Sequence, residues 1–112
     1  MNEETAGSGH VYRIDKFAVP AAARDEFLAR VRETHEVLRA QPGFVSDMLL
    51  EQCGGPGEFN LVTIAEWESG TAFDEVKAAV GAMHAARGFS PPELMARLGI
   101  RGDIATYQRI DG

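Results

Sequence analysis

Two of the three histidines, His35 and His84, are the side chains in this chain best suited to moving a proton near neutral pH, where imidazole titrates. His35 falls seven positions after Leu28 and His84 four after Val80, so each shares a helical face with apolar residues. A histidine so placed is either a core-edge residue donating to a backbone carbonyl or a proton acceptor in a pocket. His10 lies ahead of the patterned sequence and is given no role. Asn60 and Tyr107 carry groups that could orient a substrate hydroxyl. Asn60 serves a nearby hairpin equally well, and Tyr107 a subunit interface. Trp67 reads first as core packing and second as a pocket wall. Phe27, Phe44, Phe73, Val76 and Met83 supply the apolar lining that a small-molecule cleft between helices and sheet needs around its few polar groups. Arg13 and Asp15 share a parity on the first strand and read as a cross-strand charge arrangement.

Other chemistries find little support. The histidines are far apart, with no His-x-x-x-His and no carboxylate-rich spacing, so no metal site is expected. Gly54-Gly55-Pro56-Gly57 does not lead into a helix and is no phosphate cradle. The serines lack a nucleophile-elbow context, and no flavin or nicotinamide motif occurs. Cys53 is the sole cysteine, which excludes an internal disulfide and fits a reducing cytoplasm.

The elements that must position these residues follow from the periodicity. Val11 to Val19 alternates and is rich in β-formers, so it reads as a strand. Pro20 then suits the start of a helix over Ala21 to Ala40, with Phe27, Leu28, Val31, His35 and Leu38 on one face. Gln41-Pro42-Gly43 stops it. Phe44 to Gln52 and Phe59 to Trp67 are strands joined by a glycine-rich loop, hence a hairpin. Ser69 caps a second helix that carries Ala72, Phe73, Val76, Ala79, Val80 and Met83 on one face and ends at Gly88. Glu93 to Leu98 forms a short helical piece, and Ile100 to Ile110 a last strand. The order β-α-β-β-α-β is the ferredoxin-like split βαβ arrangement, an α+β fold with an antiparallel hairpin and crossovers of fixed hand.

The chain has 112 residues, 45% hydrophobic and 25% charged, which suits one domain. Residues 1–10 read as a flexible tail and 11–112 as the domain, with no signal-like apolar region at the start. A net charge of −6 argues against nucleic-acid partners, and Arg24, Arg30, Arg32 and Arg39 are interleaved with acids in the manner of a solvated helix face. No apolar run approaches the ~18 residues that cross a bilayer. Apolar residues occur at both parities of the strands: Val45 and Leu49 on one, Phe44, Met48 and Leu50 on the other. A sheet with helices on one face and water on the other should be polar on the second. A homodimer through the sheet is therefore expected.

Gln41-Pro42-Gly43-Phe44, Ile64-Ala65-Glu66-Trp67-Glu68-Ser69 and the following Ala72-Phe73 resemble the antibiotic biosynthesis monooxygenase family of dimeric α+β barrels, over roughly Val11 to Ile110. The resemblance implies a ligand pocket between helices and sheet, and a dimer formed by packing two sheets. It implies oxidation of a small phenolic or polyketide-type aromatic without a cofactor. In that reading a neutral imidazole accepts the phenolic proton, with His84 the first choice and His35 the second. The haem-degrading branch of the family carries an Asn, a second Trp and a His where this chain has Asp15, Val76 and, about two residues off, His84. Two departures of three make haem the weaker expectation. A non-catalytic binding dimer is the rival outside enzymology.

Overall fold

The structure, a computed structural model, describes residues 9–111. Strand β1 (Val11–Ala18) is followed by one turn of 3-10 helix (Ala21–Ala23) and helix α1 (Arg24–Arg39). Strands β2 (Phe44–Glu51) and β3 (Leu61–Trp67) form the hairpin. Helix α2 (Gly70–Ala86), helix α3 (Pro91–Leu98) and strand β4 (Arg101–Gln108) complete the chain. The single helix expected over Ala21 to Ala40 thus begins as a 3-10 turn, and the third strand starts at Leu61 rather than Phe59. The expected tail lies almost wholly outside the described residues; its last member, His10, hydrogen-bonds Glu66 at 2.6 Å.

The sheet order is β2-β3-β1-β4, and every pairing is antiparallel. Among the described residues no strands are parallel neighbours, because β3 inserts between the two strands that α1 connects. The helices cover the face carrying Val11, Phe17, Leu61, Ala65 and Trp67, all buried. Ser69 caps α2 by accepting from the Ala72 amide at 3.1 Å, and Ser90 caps α3, whose first positions are prolines. Gly43 lets the β2 corner approach α2. Its φ of +85° favours glycine, and a Cβ there would lie 2.5 Å from that of Ala72.

A β-bulge between Phe44 and Ser46 changes which side chains of β2 face the helices. Phe44 pairs with Trp67 and points inward. Beyond the bulge Asp47 and Leu49 pair with inward-facing Ala65 and Thr63, leaving Met48 and Leu50 on the open face. That face carries Ile14, Val62, Ile64, Met48, Leu50 and Tyr107; Met48 is 53% exposed.

The core has two parts. One gathers Phe17, Phe27, Leu28, Leu61, Leu94 and Ile100, with Phe17 and Phe27 edge-to-face at 4.9 Å. The other gathers Val11, Ala65, Trp67, Phe73 and Val76.

Candidate functional site

Between these clusters the helix-covered face is polar. Arg13 and Asp15 on β1, Thr63 on β3, Asp47 on β2 and His35 on α1 come together there, and a cleft of about 260 Å³ opens beside them. Phe17, Phe27, Val31, Leu94, Met95 and Ile104 give it apolar walls, while Arg30, Thr34, His84 and Phe89 line one side. The last four also border a neighbouring recess of about 250 Å³ with Met83 and Arg87. On the β4 side the helices cover the sheet only in part: Ile104, on the inner face of β4, is 48% exposed.

His35 is buried, and its Nδ1 lies 2.9 Å from Asp47 Oδ2. The Arg39 Nε donates to the same oxygen at 2.9 Å. Burial alone would raise the Asp47 carboxyl, but the hydrogen bonds from His35 and Arg39 together outweigh it and hold the group below the ordinary carboxylate range. An ionised carboxylate only accepts, so Nδ1 carries the proton it donates. Asp15 behaves oppositely. Burial pushes its carboxyl up, and the 2.7 Å bond from Arg13 offsets only part of that. Arg13 and Asp15 thus form a same-strand pair, not a cross-strand one. Burial, and after it the charge of Arg87, holds the His84 imidazole below its usual value, so the ring is a neutral base at neutral pH. Its ring meets Phe89 edge-on at 5.1 Å.

Several expected lining residues lie elsewhere. Trp67 is 1% exposed and packs against Phe44 at 5.5 Å and Phe73 at 6.3 Å, with Val76 beside it; this closed cluster does not reach the cleft. The Asn60 carbamoyl is committed to the backbone of Val19, accepting its N–H at 2.8 Å and donating to its carbonyl at 2.9 Å. Tyr107 pairs with Tyr12 on the far side of the sheet. Met83 borders the recess, not the cleft. Phe27, His35 and His84 stand at the cleft itself.

Sequence reasoning missed Asp47, Thr63, Phe89, Leu94 and Met95. Thr63 was findable, since it alternates with Leu61 and Ala65 on one strand face. Asp47 was not, because its inward direction depends on the bulge. Among the described residues no group of three His, Cys, Asp or Glu side chains is arranged to hold a metal ion, and no helix is long and apolar enough to cross a membrane.

Residues 11–88 match the sequence profile of the antibiotic biosynthesis monooxygenase family. Among curated proteins no match is found. Solved structures share the fold. A candidate monooxygenase from Shewanella loihica PV-4 is 24% identical, with 94% of this chain and 98% of that one covered and a TM-score of 0.71. SnoaB, a cofactor-independent oxygenase from Streptomyces nogalater, is 23% identical over 93% and 96% of the two chains, with a TM-score of 0.69. The haem-degrading protein Rv3592 from Mycobacterium tuberculosis is 21% identical over 92% and 96%, with a TM-score of 0.61.

Proposed function

We propose, from the premise that the chain belongs to the antibiotic biosynthesis monooxygenase family, that it oxidises a small phenolic aromatic with O₂ and without a cofactor. The observation that carries this reading is the cleft: apolar walls, with His35 and His84 as polar groups on its helical side. Pockets that bind small organic molecules combine just these features. The similarity in fold to a cofactor-independent oxygenase supports the same class.

The substrate supplies the electrons. A phenol gives its proton to a cleft imidazole, and the O–H bond becomes N–H as the ring turns into an electron-rich phenolate. Attack of ring carbon on O₂ forms a C–O bond. Cleavage of the O–O bond leaves one oxygen as a quinone carbonyl and the other in water, so phenol plus O₂ balances quinone plus water. No outside reductant is needed.

The chain works as a homodimer in this reading, with the open sheet face as its interface. Met48, Leu50 and Tyr107 are 53%, 44% and 40% exposed there, a patch that a lone domain in water leaves uncovered. Leu50→Glu should halve the mass seen by light scattering; a native protein already running as a monomer removes the dimer. The exposed Cys53 thiol accords with a reducing, cytoplasmic setting.

The haem reading rests on the fold shared with a haem-degrading protein. The residues fit that group poorly. A cleft of about 260 Å³ is below the roughly 300–1,000 Å³ of sites that enclose drug-sized ligands, and Phe89 lies against the histidine that would ligate iron. Oxygen uptake with naphthalenediols, read on an electrode, tests the proposal. Uptake with matching quinone absorbance supports it. No uptake together with a Soret shift that His84→Ala abolishes establishes the haem reading instead.

A further inference from the structure

We propose that Asp47 is a positioning residue that holds His35 in the tautomer able to take the substrate proton, making His35 rather than His84 the proton acceptor of the cleft. This rests on the phenol-oxidising reading above and assigns its base.

An imidazole has two ring nitrogens, and which one carries the proton is set by the partner of the other. Asp47, on the strand beneath α1, accepts from Nδ1 at 2.9 Å. With Nδ1 so committed, Nε2 is the free nitrogen of the unprotonated ring. Among the described residues Nε2 has no protein partner, and the ring borders the cleft. His35 is buried, its side chain 6% exposed, and Asp47 is part-buried at 13%. Arg39 holds the same Asp47 oxygen from the solvent side and fixes the carboxylate in place. This is the division of labour in which a buried carboxylate orients an imidazole and offsets the charge the imidazole acquires.

His84 lacks such support. No side-chain hydrogen bond to it occurs among the described residues, and its nearest ring neighbour is Phe89. When His35 takes a phenolic proton, the O–H bond breaks, Nε2–H forms, and the imidazolium is paired with Asp47. The other titratable groups facing His35 are Asp15 and Arg13 on β1, Arg30 on α1 and the neutral His84 on α2. Asp15 favours the imidazolium and the arginines oppose it.

The test has two arms. In the first, nitrogen-15 NMR of the native protein in mildly alkaline solution reads the tautomer directly. The expected result is a proton on Nδ1 and a bare Nε2; a proton on Nε2 overturns the proposal. In the second, Asp47→Leu puts an apolar side chain of similar size in place of the carboxylate and removes the acceptor. The proton should then move to Nε2. Turnover of a naphthalenediol should lose about a hundredfold in kcat, with KM held within about twofold because the cleft walls are unchanged. Arg32→Gln, at an exposed position of α1 that touches neither Asp47 nor the cleft, should leave both tautomer and turnover in place and serves as the control for general damage. A shifted tautomer with unchanged kcat overturns the proposal and leaves the oxygenase reading standing. A native protein that takes up no O₂ with any diol ends the oxygenase reading and the catalytic role together, whatever the NMR shows.

Discussion

The two halves of the helix-covered sheet face are built from similar residues and end up with opposite properties. At the Trp67 end, Val11, Phe44, Ala65, Phe73 and Val76 close around an indole that is 1% exposed. At the Phe17 end, Phe17, Phe27, Leu94 and Ile100 are buried together yet leave a cleft along their border. The difference lies in what covers each end. A bulge turns Phe44 inward and Gly43 lets α2 sit directly on the β2 corner, sealing the first end. At the second, the short α3 replaces a full helix, and charged Arg13 and Asp15 stand where apolar residues would fill the space. The lesson is that the family's recognisable motif, Trp67 and the Ser69 corner, builds the scaffold, and the less distinctive residues build the cavity.

Truncation should separate the halves most sharply. Trp67→Ala opens a cavity in the sealed end and should cost about 3–5 kcal/mol in denaturant unfolding. Phe89→Ala, at the cleft wall, should cost about 1 kcal/mol while weakening naphthol binding. Equal losses from the two would erase the distinction. Next in size, Asn60→Ala removes both bonds to Val19 and leaves that part-buried backbone unpaired, for a loss of about 1–3 kcal/mol. Because the amide touches the fold and not the cleft, naphthol affinity should stay constant in that variant. A variant of normal stability that no longer binds would return Asn60 to the site.

How much of this was legible in the chain follows from the same contrast. Phe73 and Val76 recur at helical spacing and Trp67 closes an alternating strand, so their burial could be read directly. The bulge could not. Strict alternation places Phe44 with Met48 and Leu50, and one extra residue at Val45 parts them. That slip hid Asp47, the partner of His35. For Tyr107 the sequence leaves two placements open, a pocket wall or a subunit interface. Both parities of the last strand carry apolar residues, Ile104 and Tyr107, and only the pairing with β1 decides which one faces the helices. The convergence of His35 and His84 came from two separate helical periodicities, and helix faces are more robust to a one-residue error than strand faces.

A smaller effect sharpens the polar strip between the halves. The Asp47 carboxyl is held low, against the cost of burial, by His35 and Arg39. The unfolded chain therefore binds that proton more readily than the folded one. Its contribution is complete above about pH 4, the ordinary aspartate value, and is lost as the pH falls through the lower folded value. The stability gap between native protein and Asp47→Leu should narrow in acid below about pH 4. A gap that stays unchanged through that range would show that Asp47 is not the ionised acceptor the strip requires.

The central claim is that the ligand cleft lies at the open end and not around the indole, and a titration with 1-naphthol followed by two-dimensional NMR tests it most directly. The chain has one tryptophan, so its indole N–H is a unique reporter for the sealed end. The account predicts that backbone signals of Val31, Thr34, His84, Phe89 and Ile104 shift together with one saturation curve, while the Trp67 indole signal stays in place. Shifts centred on the indole, or on Tyr107 across the sheet, with the cleft residues silent, would contradict it.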